Sequence, residues 1–202
     1  MDPLLYLASL SPRRHELLLQ IGVHHEIIRV DVDESQRPGE SPSDYVLRLA
    51  SAKAGEGRNS VSAHHLPRPV LGADTAVVID GEILGKPKDK RDAGEMLSRL
   101  SARTHRVLTG VALATETIDI RLSESRVTFC KLATIDIERY WRSGEPADKA
   151  GSYGIQGVGA LFVERIEGSY SGVVGLPLFE TAELLREAGI TLPIPLDQDR
   201  PR

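Results

Sequence analysis

Up to Leu100 this sequence alternates short apolar runs with amphipathic helical stripes, and beyond that point it turns to paired extended segments. The change predicts an α/β fold with a mixed sheet flanked by helices, rather than a purely parallel doubly wound one. Residues 4–9 read as a buried strand. Ser11-Pro12 then supply an N-cap and a first-turn proline for a helix that buries Leu17, Leu18 and Ile21 and stops at Gly22. Residues 25–30 read as a second strand and 31–40 as a polar loop, after which Ser41-Pro42 opens a second helix with Asp44 as a reciprocal cap. Residues 55–69 read as a polar connection, 70–79 as a strand, and Asp80-Gly81 as a hairpin turn into residues 82–84. Asp89 caps a third helix ending at Leu100, and residues 105–114 and 124–134 read as antiparallel neighbours. A helix over 136–143 closed by Gly144, a glycine-rich segment 151–159 leading into a strand at 160–166, and a last helix over 179–188 ended by Gly189 complete the reading.

The 202 residues suit one domain, residues 1–192, with a proline-rich polar tail at 193–202 expected to be flexible. A net charge of -4 argues against a nucleic-acid surface, so any basic character must be gathered locally, in a pocket for a small anion. The single cysteine, Cys130, has no internal disulfide partner and reads as a small buried hydrophobe inside a strand. No apolar run reaches membrane-spanning length, and a cytoplasmic protein without membrane partners is the expectation.

Several residues stand where the local pattern does not call for them. Arg13 and Arg14 occupy the first turn of the first helix, where free N–H groups and the helix dipole already favour an anion. Two cations there oppose the dipole and make physical sense with a phosphate present. Val46, Leu49, Ala50 and Lys53 fall on one helical face, so a lysine stands in an apolar stripe. Asp74 interrupts an apolar strand, where a carboxylate must be paired, bound to a metal or opened to a cleft. Glu34 lies in the acidic loop and Lys86 just past the hairpin. The glycines at 151, 154, 157 and 159 match neither phosphate-loop spacing, and His24-His25 and His64-His65 lack helical ligand spacing and read as surface pairs. With no nucleophilic elbow or triad, metal-assisted attack by water is the chemistry left.

The blocks LASLSPRRHELL, RLASAKA, VLGADTAVV, ILGKPKD, THRVLTGVAL and DKAGSYGIQGVGALFVERIEGSY, running through VVGLPL, resemble in that order the Maf family of nucleoside triphosphate pyrophosphatases, from about Leu4 to Gly189. The resemblance implies a fold similar to that of inosine triphosphate pyrophosphatases, an elongated mixed sheet with a cleft between two lobes. It also implies hydrolysis of a small-molecule nucleoside triphosphate to monophosphate and pyrophosphate, with Mg2+ or Mn2+ as cofactor. Asp74 matches the family's proton acceptor, while Ser9, Arg13, Arg14, Glu34, Lys53 and Lys86 match its phosphate- and metal-handling positions. On that carry-over Glu34 and Asp74 hold the metal, Glu34 and Lys86 join Asp74 in the catalytic set, and Arg13, Thr75 and Gln156 bear on substrate choice. GSYGIQG resembles the branch acting on dTTP, UTP and modified pyrimidine nucleotides. The alternatives are a 7-methyl-GTP-preferring enzyme and a non-catalytic nucleotide-binding regulator of septum formation, and the family's frequent dimers admit a homodimer. Two positions depart from the family pattern: Leu10 replaces a usual glycine beside the phosphates, and Gly172 a common asparagine.

Overall fold

The computed structural model describes residues 4–61 and 68–193. In chain order its elements are β1 (Leu5–Leu7), α1 (Pro12–Gln20), β2 (His25–Ile27), α2 (Pro42–Val61), β3 (Val70–Ile79), β4 (Glu82–Leu84) and α3 (Lys90–Leu100). There follow β5 (Thr104–Ala114), β6 (Ile118–Phe129), α4 (Thr134–Arg142), β7 (Val163–Glu167), α5 (Tyr170–Val174) and α6 (Leu178–Glu187), with single-turn 3-10 segments at Glu145–Asp148, Ala150–Ser152 and Val158–Phe162. Among the described residues one mixed sheet forms in the order β2-β1-β3-β5-β6-β7, and β4 joins it by pairing with β3. The β1 pairings are parallel and the others antiparallel, as the change of pattern along the chain predicts.

A split beside β3 positions the site. On one side β3 pairs with β5 from Val70 to Val78. On the other it meets β1 only at Val70 and Leu71, and β4 only from Val77 to Ile79. Between those two partners the strand has a neighbour on one side alone, and Asp74 and Thr75 lie in that gap. The chain leaves β1 through Ala8 and Ser9 into α1, so the helix start is delivered to the opening. Ligands collect at such breaks in strand order, where connections diverge and leave a crevice.

Strand alternation sends Asp74 and Thr75 to opposite faces of β3. On the Asp74 face α2 lies unusually close, because Gly72 and Gly110 carry no side chain. A Cβ on Gly72 would stand 2.4 Å from Ala50 O, and one on Gly110 2.5 Å from Val46 O. Val46, Leu49, Ala50 and Ala54 of α2 are fully buried against the sheet, so the stripe read from the sequence is the packing face and it carries Lys53 down with it. The other face carries the larger core, including Leu7, Leu18, Leu71, Leu97, Phe129 and Leu176.

Several boundaries differ from the sequence reading. Helix α2 continues through residues 55–61. Its glycines are not breakers there: a Cβ on Gly57 would meet Val70 Cγ1 at 2.7 Å and Ala8 Cβ at 3.2 Å, so the residue allows close approach. Strand β6 covers Ile118–Phe129 rather than 124–134, because it pairs with β5 along its full length and Thr134 already opens α4. Residues 160–162 belong to a 3-10 turn and the strand begins at Val163. Cys130 is half-buried just past β6, not inside it. Ser11 stands at the α1 N-cap position without a capping bond; its own N–H donates to Ser9 Oγ at 3.2 Å. His25 is half-buried and bonded to His15 at 2.8 Å rather than lying free on the surface. Short helix α5, capped by the Ser169 hydroxyl, was not foreseen. His64-His65 and the tail from residue 194 lie outside the described residues.

The hairpin turn follows the expected chemistry. Asp80 and Gly81 both have positive φ, 55° and 80°, the backbone of a two-residue type I′ turn. Asp89 caps α3 by accepting from Asp92 N, and Ser41 caps α2 by accepting from Asp44 N, while the Asp44 carboxylate accepts from the Ser41 hydroxyl rather than from the expected backbone N–H.

Candidate active site

All nine residues singled out in the sequence, Ser9, Arg13, Arg14, Glu34, Lys53, Asp74, Thr75, Lys86 and Gln156, line one cleft of about 920 Å³ at the split in the sheet. They come from five regions of the chain: the α1 start, the acidic loop, α2, the centre of β3 with its hairpin, and the glycine-rich segment. Leu10 lies on the rim, 63 % exposed, and its φ is not positive, so the position asks for no glycine here.

Lys53 and Asp74 form the floor. The lysine ammonium is 2.8 Å from Asp74 Oδ1 and 2.6 Å from Glu34 Oε1. Burial raises the Asp74 carboxyl above its ordinary value, with Lys53 and Arg14 opposing and Glu34 reinforcing the rise. Glu34 moves the other way: burial acts against it, yet the Lys53 hydrogen bond and charge, with Lys86 and Arg14, hold it below the usual carboxylate range. Two carboxylates beside one cation are thus split in proton affinity, the arrangement that lets one of them act as a base.

The acidic loop is fastened by α2. Tyr45 Oη donates to Glu34 O at 3.0 Å, and Arg48 donates to Ser35 O at 3.0 Å while pairing with Glu40. Burial and the nearby Asp74 and Glu34 charges push the Tyr45 phenol up to about 12, so it remains a donor. The sequence reading missed both residues.

Arg14 and Arg13 differ sharply. Arg14 turns back into the protein, donating from Nε to Gly175 O at 2.7 Å, from Nη1 to Ser9 Oγ at 3.1 Å and from Nη2 to Thr75 Oγ1 at 3.2 Å. Thr109, buried on β5, donates to Gly172 O at 2.8 Å, so its oxygen accepts from Thr75, 3.0 Å away. The chain of hydrogen bonds therefore runs in one direction, Arg14 to Thr75 to Thr109 to the α5 backbone, and Thr75 offers the guanidinium a lone pair. Gly172 takes part through its carbonyl, which any residue supplies. Arg13 and Lys86 have no hydrogen bond or ion pair among the described residues, and Lys86 is exposed. Arg13 and Lys86 are thus uncommitted, whereas Arg14, Lys53 and Lys149, which line the same cleft, are each engaged with protein groups.

In the glycine-rich segment the glycines answer to packing. A Cβ on Gly157 would lie 2.2 Å from Glu145 Oε2, and one on Gly159 2.5 Å from Tyr140 Oη. These glycines make room for Glu145 and Tyr140, which the sequence reading also missed. Gln156, exposed at the turn's tip, looks into the cleft.

For a metal, the two carboxylates that meet at Lys53 are hard oxygen donors of the kind Mg2+ and Mn2+ take. Among the described residues no group of three or more His, Cys, Asp or Glu is placed to hold an ion.

A mixed sheet broken at a buried carboxylate, with free cations at the opening, defines an α/β protein built to receive a polyanion. Residues 4–188 match the model for Maf-like protein, and the chain belongs to that family. A dTTP/UTP pyrophosphatase of Cupriavidus metallidurans is 54% identical over 198 residues, covering 94% of this chain and 99% of its own. One of Alkalilimnicola ehrlichii is 56% identical over 187 residues, covering 92% and 93%. Among solved structures, a nucleoside-triphosphatase / dITP/XTP pyrophosphatase from Mycobacterium abscessus aligns at a TM-score of 0.39 and 18% identity, over 63% of this chain and 73% of that one.

Proposed function

We propose that the protein hydrolyses nucleoside triphosphates, dTTP and UTP above others, to the monophosphate and pyrophosphate, in the cytoplasm. The observation that carries this reading is a raised, buried Asp74 carboxyl held in a cleft that also presents two cations without protein partners, Arg13 and Lys86. The full-length likeness to dTTP/UTP pyrophosphatases supports it.

Arg13 and Lys86 reach the triphosphate from the mouth, and Arg14, with two N–H groups left after its three protein bonds, meets it from the wall. The α1 N-terminus adds backbone donors. Asp74 takes the proton of the water that attacks the α-phosphorus, and its raised proton affinity makes it a better base than a solvated carboxylate. Lys53 keeps that carboxylate oriented and offsets charge building on the departing pyrophosphate. Glu34 and Asp74 would hold a divalent cation, which supplies charge neutralisation on phosphate oxygens and a more acidic water. Gln156 offers an acceptor and donors that match the N3–H and a carbonyl of uracil or thymine.

The test is product analysis on UTP, dTTP, CTP and 7-methyl-GTP with Mg2+. Pyrophosphate and monophosphate in equal amounts are expected, fastest from UTP and dTTP. Tight triphosphate binding without pyrophosphate release would show a binding protein instead.

A further inference from the structure

Glu145 lines the cleft and lies outside the residues just given roles. Its carboxylate accepts from Val158 N at 2.8 Å through Oε2, and from Gly159 N at 3.1 Å and Tyr140 Oη at 2.7 Å through Oε1. Tyr140 Oη in turn accepts from Gly154 N at 3.0 Å. The two side chains therefore hold the backbone on both sides of Gln156, at residue 154 and at 158–159. Lys149 adds a bond to the Glu145 carbonyl at 3.3 Å. Burial opposes ionisation of Glu145, but the Tyr140 bond, the two backbone N–H groups and Lys149 keep it below its ordinary value, so the clamp is charged at neutral pH.

The turn is shaped round this pair. The Cβ positions of Gly154, Gly157 and Gly159 fall 3.1 Å, 2.2 Å and 2.5 Å from Glu145 Oε1, Glu145 Oε2 and Tyr140 Oη respectively. Only glycine at 157 and 159 lets the carboxylate and phenol reach the backbone. The segment places an exposed amide side chain at the tip of an otherwise fastened turn.

We propose that Glu145, acting with Tyr140, is a specificity-positioning residue: the pair fixes the turn of residues 154–159 so that Gln156 meets the pyrimidine base at a set distance, a role that rests on the base-recognition reading above. Charge-assisted bonds to two consecutive N–H groups are strong enough to define the turn, and a loose turn would let the amide serve any base. The residues assigned to the triphosphate, Arg13, Arg14 and Lys86, lie on other segments of the chain.

The experiment compares Glu145→Gln, Tyr140→Phe, Gln156→Ala and the Glu145→Gln/Gln156→Ala double variant. It reads kcat/KM for UTP, CTP and 7-methyl-GTP, and amide exchange at Val158 and Gly159. Glu145→Gln keeps the shape but turns a donor NH2 toward one of the two N–H groups. We expect its UTP preference to fall ~10-fold, within the range that a ~1 Å misplacement at a positioning contact produces, with faster exchange at both amides and little change for the poorest substrate. Tyr140→Phe is expected to move the ratio the same way, and Glu145→Gln to have no further effect on it once Gln156 is alanine. Equal losses on all nucleotides, or a UTP preference that survives, overturns the inference. An altered ranking in Gln156→Ala beside an unaltered one in Glu145→Gln overturns the clamp alone, whereas an unaltered ranking in Gln156→Ala removes the base-recognition reading and the clamp's role with it.

Discussion

The Lys53 ammonium lies 2.8 Å from Asp74 Oδ1, a contact between a helix face and a central strand that are twenty-one residues apart in sequence. It opposes, without overcoming, the burial that raises the Asp74 carboxyl. Asp74→Asn keeps size and shape but cannot accept the water's proton. A loss in kcat on the order of 100- to 10,000-fold is expected, the usual range for a general base, with the fold retained by circular dichroism. Turnover within a few-fold of wild type would rule out this role.

Removing the lysine's charge isolates its electrostatic part. In Lys53→Met the Asp74 carboxyl loses its largest opposing influence, so its proton affinity must rise further. The acid limb of kcat/KM, set by the fraction of Asp74 ionised, is expected to move to higher pH. A carbon-13 NMR titration of the Asp74 carboxyl in metal-free protein should show the same displacement. A limb that stays in place would separate Asp74 from the proton transfer.

Arg14→Lys tests geometry at constant charge. A lysine cannot reproduce bonds from three nitrogens to Gly175 O, Ser9 Oγ and Thr75 Oγ1. Those acceptors lose their partner and the α1 start loses its tie to α5. KM is expected to rise ~10-fold or more, as when a charge-assisted hydrogen bond worth ~1.5–3 kcal/mol is lost. Arg13→Lys, at a side chain free of protein partners, should be milder.

Legibility in the sequence followed how a residue breaks its local pattern. Lys53 stands in an apolar stripe, Asp74 in an apolar strand and Arg13 at a helix start, and each is visible because its neighbours set an expectation it violates. Tyr45, Thr109, Glu145 and Tyr140 break nothing locally. They act through partners brought near by folding: Tyr45 on the Glu34 backbone, Thr109 through the β3–β5 register, Glu145 on amides thirteen and fourteen residues on. The end of α2 was hidden for a related reason. Residues 55–69 read as a polar connection, and only the packing of Val70 and Ala8 against Gly57 shows why the helix runs on. The early part of β6 did carry a signal, because Ile118, Ile120 and Leu122 alternate with polar residues, although in the fold all three remain exposed.

Gly110→Ala probes the close approach of α2. The new Cβ would lie 2.5 Å from Val46 O and 2.8 Å from Val46 C, backbone atoms that cannot swing aside. Overpacking of this kind costs ~1–3 kcal/mol, and relief requires α2 to move off β5. Urea denaturation should show that loss. Turnover should fall as well, because the helix that retreats carries Lys53. Stability lost with kinetics intact would mean that Lys53 is not held by the α2 seat.

His105 sets an acid limit on the fold. It is 2 % exposed, bonded through Nε2 to Tyr153 Oη at 2.8 Å and packed edge-on against Phe129. Burial pulls its pKa from 6.5 down to about 4. The unfolded chain, at 6.5, therefore binds the proton first. Between those values unfolding takes up a proton, so stability due to the neutral imidazole is complete above 6.5 and drains away as pH falls toward 4. The full effect is on the order of 3 kcal/mol, at 1.36 kcal/mol per pKa unit. His105→Phe removes the titration while keeping an aromatic ring. Its unfolding free energy, followed in urea from pH 7 to pH 4.5, should decline less steeply than that of the wild type. Parallel curves would show that some other group governs the acid sensitivity.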